Sequence, residues 1–552
     1  MKTQRIGFNG EVTRFMAAIA ATVLGVATAN AAVALSGAGT EASPYLITSL
    51  ADLVTFRDWV NAGNNCAGEF FQLTADIDMS SEPNWTPISD YAYGAGGNAR
   101  FSGTFDGGNF TISHLTITSN PTDLLGNTSH LMLGLFGAVG SAHFRNIRMS
   151  DVDIGVTNAN GDVTNMGICA ALVANASGAS SIRNVEIVSG SVKSIENAAG
   201  IYAFGTAYLH LSNCVNRAAV TGYSSGGIAG VAGRDSVNHS LIEDCVNYGA
   251  VASHDNSGSG VGGILGKAQN NVVRNCTNYG TVTGLDSNLY VGGICGVGNT
   301  ANTFEYCVNY GEVTSDAGAN GRAGGILGSA GGAFTFNFCI NMGNVTGYQG
   351  AGGIVYHVDA YASTLNYCYN AGAIQATHGD AGGLVGGLTG SATSYSLNDG
   401  TVTASGTACM TSPTTGAAVY YHVDGVLYNA DGSAAGITES EACDALNTGL
   451  AAGSEFWGIS GLGQAAPDFM TFYGTPPVVW VDDDYTPGSC DGHIWGYDAF
   501  SEHSGRRGCR CRWRHGQHRG GDVCRERVCL REGSRHHRRR CGGDDRRRER
   551  GG

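Results

Sequence analysis

Cys245-Val246-Asn247-Tyr248-Gly249 is followed by Cys276-Thr277-Asn278-Tyr279-Gly280 and then by Cys307-Val308-Asn309-Tyr310-Gly311. Cys339-Ile340-Asn341-Met342-Gly343 and Cys368-Tyr369-Asn370-Ala371-Gly372 continue the series. Cys214-Val215-Asn216 is an earlier copy with Ala218 at the Gly position. Ser396-Leu397-Asn398-Asp399-Gly400 is a later one with Ser in place of Cys. Successive copies start 31, 31, 31, 32, 29 and 28 residues apart. Six residues after each start stands an aliphatic residue, from Val220 and Val251 to Ile374 and Val402. A second phrase, Gly-Gly-aliphatic, falls between copies, as in Gly226-Gly227-Ile228, Gly262-Gly263-Ile264 and Gly382-Gly383-Leu384. Degenerate copies reach upstream through Ile182-Arg183-Asn184-Val185 to Phe144-Arg145-Asn146-Ile147.

A period near 31 also occurs in helical repeats. The local pattern argues against them, because apolar residues alternate over short runs such as Thr281-Val282-Thr283 and no window keeps a 3.6-residue stripe. Short strands between Gly/Asn turns predict an all-β parallel β-helix. One repeat has room for about three strands and forms one coil. Coils stack about 4.8 Å apart, so equivalent side chains form columns. Residues two apart share a strand face. Cys214, Cys245, Cys276, Cys307, Cys339 and Cys368 are therefore expected as one inward column of thiols. Asn216, Asn247, Asn278, Asn309, Asn341, Asn370 and Asn398 are expected as a second column, at a turn, whose amides can bond to those above and below. Gly would supply positive φ or close backbone approach at corners.

Composition agrees with a solenoid. Gly accounts for 86 of 552 residues, with 9 Pro, and shows no collagen period. An apolar fraction of 42% is enough to bury a core. The net charge of −15 divides unevenly: residues 506–552 hold 17 of the 31 basic and 6 of the 46 acidic residues. The remainder is strongly acidic, which excludes a nucleic-acid partner for the folded body.

Lys2, Arg5 and Arg14 precede an apolar run from Phe15 to Val26, and Ala29-Asn30-Ala31 has a small-x-small cleavage pattern. Residues 1–31 read as a secretory signal peptide. The run is shorter than the roughly 20 residues that a membrane span needs. The expected location is secreted or at a bacterial cell surface, with no transmembrane span.

Gly134-Leu135-Phe136-Gly137, Gly263-Ile264-Leu265-Gly266, Gly325-Ile326-Leu327-Gly328 and Gly383-Leu384-Val385-Gly386 resemble the motif of the GLUG-repeat proteins, a family of bacterial secreted and surface proteins. The lead-in from Gly39-Thr40-Glu41-Ala42-Ser43-Pro44-Tyr45 through Leu73-Thr74-Ala75-Asp76-Ile77-Asp78 to Phe101-Ser102-Gly103-Thr104-Phe105-Asp106-Gly107 is also similar to that family. The resemblance covers about residues 36–403. It implies a right-handed parallel β-helix and assigns no catalytic residue to the repeat.

The expected organisation is a cap and lead-in over 32–100, the β-helix over 101–403, and a closing cap over 404–474. Ser49-x-x-Asp52 and Thr438-x-x-Glu441 are capping boxes that open short amphipathic helices. Residues 475–500, with Val479-Trp480-Val481-Asp482-Asp483-Asp484-Tyr485 and Trp495-Gly496-Tyr497-Asp498-Ala499-Phe500, resemble the start of a second, pectin-lyase-like β-helix. That resemblance stops at about Ser501. Residues 501–552 are an Arg-rich tail expected to be disordered. A shifted reading frame best explains the break. A basic tail or a metal site at Cys509, Cys511, His515 and His518 are the alternatives.

Stacked thiols in an exported chain could form disulfides, but parallel stacking directs them poorly for bridging. Buried free thiols are the expectation. There is no His-Glu-x-x-His, which rules out a zinc protease site of that type. Histidines such as His357 and His422 are expected at the surface or in turns. A polysaccharide lyase needs a base near clustered carboxylates, and only 11 basic residues are spread over 32–505. Arg183 and Arg274 share a column, which suggests solvated coil edges. Asp76 and Asp78 lie on one strand face and suit a cation or a turn, so Ca²⁺ there is the one cofactor candidate. No catalytic or cofactor-binding residue is assigned. The expected function is non-enzymatic: surface adhesion, scaffolding or glycan binding by a monomer, with a polysaccharide or a host or cell-surface macromolecule as partner. The alternative is a carbohydrate-active enzyme, a lyase or glycoside hydrolase, on the same fold.

Overall fold

The computed structural model describes residues 33–89, 100–118, 131–156, 167–233, 239–254, 260–285, 290–315, 320–358, 363–387, 392–411, 417–423, 426–450 and 457, with four short strands further along the chain. The expected signal peptide lies outside the described residues. So do most of the proposed second module and the tail, where only the strands Val479–Val481, Ala499–Phe500, Cys509–His515 and Arg525–Leu530 are paired, in a sheet of their own. The described body is a parallel β-solenoid of about nine turns.

One coil shows how the repeat folds. Ser240–Glu243 and Val246–Asn247 lie on a broad face, followed by Val251–Ser253, Gly260–Gly262 and Leu265–Gln269 on three further faces. Each segment pairs in parallel with its equivalent one coil on: Leu241 with Val272, Val246 with Thr277, Val251 with Val282, Val261 with Val291 and Leu265 with Cys295. A coil thus has five strand segments on four faces, where the pattern suggested about three.

The extra break comes from the residue just before each column Cys. Asn213, Asp244, Asn275, Tyr306, Phe338, Tyr367 and Tyr395 all have φ between 51° and 56°. This left-handed residue splits the broad-face strand in two. Asn and Asp adopt it readily, whereas aromatic side chains are uncommon there. In the later coils stacking accompanies the aromatic substitution. Tyr306, Phe338, Tyr367 and Tyr395 form a ladder with ring centroids 4.7, 4.8 and 5.1 Å apart.

The repeated glycines serve close approach, not positive φ. A Cβ on Gly263 would fall 2.2 Å from Asn278 Cγ and 2.2 Å from the Gly293 carbonyl oxygen. The second Gly of each Gly-Gly step meets the Asn column in this way, so the two sequence phrases are complementary halves of one contact. Inside, the aliphatic positions form one continuous core from Val33 to Val419.

Helix α1 (Leu50–Asn61) covers the first coil. Leu53, Phe56 and Val60 are fully buried, and Phe56 packs 4.3 Å from Phe71 and 5.5 Å from Phe101 between ring centroids. Ser49 Oγ accepts from the Asp52 N–H at 3.2 Å, while Asp52 Oδ2 accepts from the Thr48 N–H at 2.9 Å. The reciprocal bond therefore reaches one residue further back than in a capping box.

The other end closes differently from expectation. A hairpin, Val419–Val423 with Val426–Asn429, pairs antiparallel and ends the broad sheet. Helix α2 (Glu439–Leu446), with a full Thr438/Glu441 capping box, does not cover the core. It folds back onto the outside of the broad face. Ala442, Cys443 and Leu446 pack there in one cluster with Val308, Ile340, Tyr369 and Leu397, residues from four successive coils. Among the described residues no helix is long and apolar enough to cross a membrane.

Candidate functional site

The two repeated columns lie in the interior of the solenoid. Cys214, Cys245, Cys276, Cys307, Cys339 and Cys368 are unexposed and free, and no disulfide occurs among the described residues. Each thiol donates to the carbonyl two residues back, for example Cys245 to Glu243 at 3.1 Å and Cys276 to Arg274 at 3.3 Å. Burial pushes the thiols of Cys214, Cys245 and Cys295 up, which removes the thiolate that a nucleophile or metal ligand requires. Asn216, Asn247, Asn278, Asn309, Asn341, Asn370 and Asn398 are also unexposed. Each Nδ2 from Asn216 to Asn370 donates to the next Oδ1, at 2.9, 2.9, 2.9, 2.8, 2.7 and 2.7 Å. Each also donates within its own coil, as Asn278 does to the Gly280 carbonyl at 2.8 Å.

Asp76 and Asp78 are exposed, and each holds partners of its own. Asp76 Oδ1 accepts from the Thr111 N–H at 2.7 Å. Asp78 Oδ1 accepts from the Ser80 N–H at 3.0 Å and lies 2.9 Å from His114 Nδ1. These bonds, the Ser80 N–H first, hold the Asp78 carboxyl below its ordinary value. Both carboxylates tie strands and turns together. No group of three His, Cys, Asp or Glu side chains suited to a metal occurs among the described residues. The His357 side chain lies outside the described residues. His422 is not a surface residue: its side chain is 11% exposed and its Nδ1 lies 2.5 Å from Asp399 Oδ1, whose carboxylate also accepts from the Tyr369 hydroxyl at 2.8 Å.

The outer aromatic ladders are poor sugar platforms. Tyr248, Tyr279 and Tyr310 stack at 5.0 and 4.9 Å with planes within 4°, and Arg217 lies over Tyr248 at 4.2 Å. Their faces are taken by one another, so a glycan would meet edges.

A cavity of about 580 Å³ opens on the broad face of the early coils, with Thr104, His143, Arg145, Ser181, Arg183 and Ser212 among its lining residues. Outward positions two before the Cys equivalent form a column: Asp106, Arg145, Arg183, Ser212, Glu243, Arg274 and Glu305. The column beside it runs Thr104, His143, Ser181 and His210. Asp106 anchors the edge, accepting from Arg145 Nε at 2.7 Å, Asn146 Nδ2 at 3.0 Å and the Gly108 N–H at 2.9 Å. His143 Nδ1 and Ser181 Oγ share a hydrogen bond of 2.8 Å. Asn184 Nδ2 donates to Asn146 Oδ1 at 3.0 Å, and Asn213 continues that ladder onto Asn184. The floor of the cavity is therefore a row of fixed amides flanked by arginines.

Further along, the charges satisfy one another. Glu243 accepts from Arg274 Nε at 2.8 Å and lies 2.8 Å from His210 Nε2. Burial acts to raise its carboxyl, but these partners outweigh burial and hold it below the ordinary value. Arg183 is exposed and has no ion-pair partner among the described residues. The solvated edge read from the column thus holds for both arginines, which are exposed, and Arg274 is paired with Glu243 as well. The cavity itself was not foreseen. Its trace in the sequence is the basic residue at equivalent positions of two degenerate copies, Arg145 and Arg183.

No family model matches the chain. A stretch of 112 residues is 37% identical to part of halomucin from Haloquadratum walsbyi, covering 19% of this chain and 1% of that protein. A stretch of 120 residues is 35% identical to a provisionally named Gly-rich membrane protein from Evansella cellulosilytica, covering 21% of this chain and 12% of that one. The chain therefore spans only a small part of the length of these relatives. Among solved structures it is similar to a provisionally named immunoglobulin A1 protease from Bacteroides ovatus. The TM-score is 0.36 and the identity 19%, over 56% of this chain and 77% of the other.

Proposed function

We propose that this chain is an exported, non-enzymatic β-solenoid of the GLUG-repeat kind that binds glycan on its broad face, in surface adhesion or as a scaffold. The observation that carries the reading is the open cavity at Arg145 and Arg183, built on a fixed row of amides. Rigid hydrogen-bonding groups in a concave site are what a polyhydroxylated ligand requires. The signal-like residues 1–31 support export. The cavity lining contains no Asp or Glu, whereas glycoside hydrolysis needs two carboxylates facing the bond. This favours binding over cleavage at this site.

The test is binding of the purified full chain to a panel of immobilised polysaccharides, with reducing-end release and unsaturated-uronate absorbance measured in parallel. Retention on at least one polymer without product is the expected result. Depolymerisation of a bound polymer would establish the carbohydrate-active alternative. Retention on none would overturn glycan binding. Fractionation of the producing bacterium tests export, with the chain expected in the medium or at the surface.

A further inference from the structure

The outward column on the broad face alternates in sign wherever charges meet, with one exception. Asp106 meets Arg145 and Arg274 meets Glu243 as opposite charges. Arg145 and Arg183 are like charges on directly paired positions of neighbouring strands. Neighbouring strands are about 4.8 Å apart, and like charges so placed destabilise a sheet. Asp106 offsets Arg145 on one side. On the other side of Arg183 stands Ser212, which carries no charge. Four of the 11 basic residues within 32–505 lie in this region: Arg145, Arg148, Arg183 and Arg217. Arg148 and Arg217 share Glu186, at 3.1 and 3.3 Å. With Arg145 offset by Asp106, Arg183 is the cation beside the cavity that has no ion-pair partner among the described residues, on an otherwise acidic body.

Taking the glycan-binding reading as its basis, we propose that the cavity selects acidic sugar units and holds one carboxylate or sulfate between Arg145 and Arg183. Arg145 uses Nε on Asp106, which leaves its terminal guanidinium nitrogens for an oxyanion. Arg183 has its whole fork available. Planar guanidinium groups match carboxylate oxygens in pairs, which a lysine cannot reproduce. An anion between the two relieves the repulsion between these like charges. The row Asn146, Asn184 and Asn213 runs along the solenoid axis and supplies amides for hydroxyls of the same polymer. Because the rest of the body is acidic, long-range attraction contributes little, and selectivity rests on this short-range contact.

The experiment compares polygalacturonate, its fully methyl-esterified form, dextran sulfate and single-stranded DNA, at one fixed salt concentration, using the full chain and its Arg183→Ala and Arg183→Lys variants. Arg183 is exposed, so both variants should fold, and circular dichroism with thermal melting verifies this. The expected result is at least tenfold weaker binding of the esterified polymer than of polygalacturonate. Arg183→Ala should lose at least tenfold in affinity for the acidic polymer, and Arg183→Lys should fall between. Polygalacturonate should raise the melting temperature of the wild type and not that of Arg183→Ala. Comparison with dextran sulfate, which carries sulfate and no carboxylate, separates the two as the preferred anion, and tighter binding of either one than of the esterified polymer supports the proposal. Equal binding of the esterified and acidic forms, or an unchanged Arg183→Ala, overturns acid selectivity and leaves glycan binding standing. DNA bound as tightly as the acidic polymers overturns it as a sugar site. Retention of no polymer overturns both readings.

Discussion

Replacing Asn309 by leucine asks whether the buried amide ladder holds the coils together. The two side chains are similar in size and branching, so hydrogen bonding changes more than volume. Asn309 Nδ2 donates to Asn341 Oδ1 at 2.8 Å and to the Gly311 carbonyl at 2.8 Å, and its Oδ1 accepts from Asn278 Nδ2 at 2.9 Å. Leucine takes one hydrogen bond from each of Asn341 Oδ1, the Gly311 carbonyl and Asn278 Nδ2, the last keeping its bond to the Gly280 carbonyl, at a position with no solvent exposure. A buried polar group left unsatisfied costs about 1–3 kcal/mol, giving a loss of about 3–9 kcal/mol. Burial of the leucine offsets about 1.5–3 kcal/mol. The expected net destabilisation is centred on about 4 kcal/mol. In a solenoid the loss falls first on the interface between neighbouring coils.

The assay is urea unfolding of the full chain, with native-state hydrogen exchange over the coils on either side. The midpoint should fall, and amides near Asn278 and Gly311 should lose protection before those near Asn216. A second variant sharpens the reasoning. In Asn278→Leu/Asn309→Leu the donor orphaned by the single change is itself gone, so the two effects should add to less than their sum, by about 1–3 kcal/mol. An Asn309→Leu chain within about 0.5 kcal/mol of wild type, the range of ordinary surface changes, would refute the reasoning. Strict additivity in the double variant would refute it too.

Gly263→Ala places a methyl group 2.2 Å from Asn278 Cγ and should lower stability by about 1–3 kcal/mol, measured by thermal melting; an unchanged melt would mean that the Gly-Asn contact relaxes freely. Leu446→Ala empties a buried position under α2 and should weaken its docking by about 2–5 kcal/mol. Limited proteolysis should then cut within 430–450 while the coils keep their protection, and loss of the coils together with α2 would contradict a side-docked helix. The Glu243 carboxyl is lower in the folded chain than in the unfolded one. Its contribution is therefore present above the unfolded value and lost as pH falls through the folded value. Melting temperatures of wild type and Glu243→Gln measured from about pH 6 to pH 3 should converge toward the acid end, and a constant gap would refute the assignment.

Particular residues show why some of this was legible and some not. The Cys and Asn columns could be read directly, because a stacked coil makes the same chemical demand at the same place each time. Helix α1 was legible as a cap from Ser49-x-x-Asp52 and the apolar Leu53, Val54, Trp59 and Val60, of which Leu53 and Val60 are fully buried, whereas the buried Phe56 was not read from the pattern. The second break in the broad-face strand was hidden, since its left-handed residue changes from Asn or Asp to Tyr or Phe along the array. What repeats there is a backbone angle, while two different ladders support it. The amphipathic pattern of α2 announced a buried face but not which surface would cover it. The cavity was less legible still, because Arg145 and Arg183 lie 38 residues apart in degenerate copies and become neighbours only when the coils stack.

The sequence by itself determined the coil length, the parallel stacking and the identity of the interior columns. These follow from periodic residues meeting periodic backbone needs, and a period survives in one dimension. Only the tertiary structure decided the four-faced cross-section, the return of α2 along the outside, and the place where two arginines meet without an acid between them. Those depend on which side chains from different coils share one surface. That is a matter of register between strands, and a linear pattern does not carry it where the repeats differ in length.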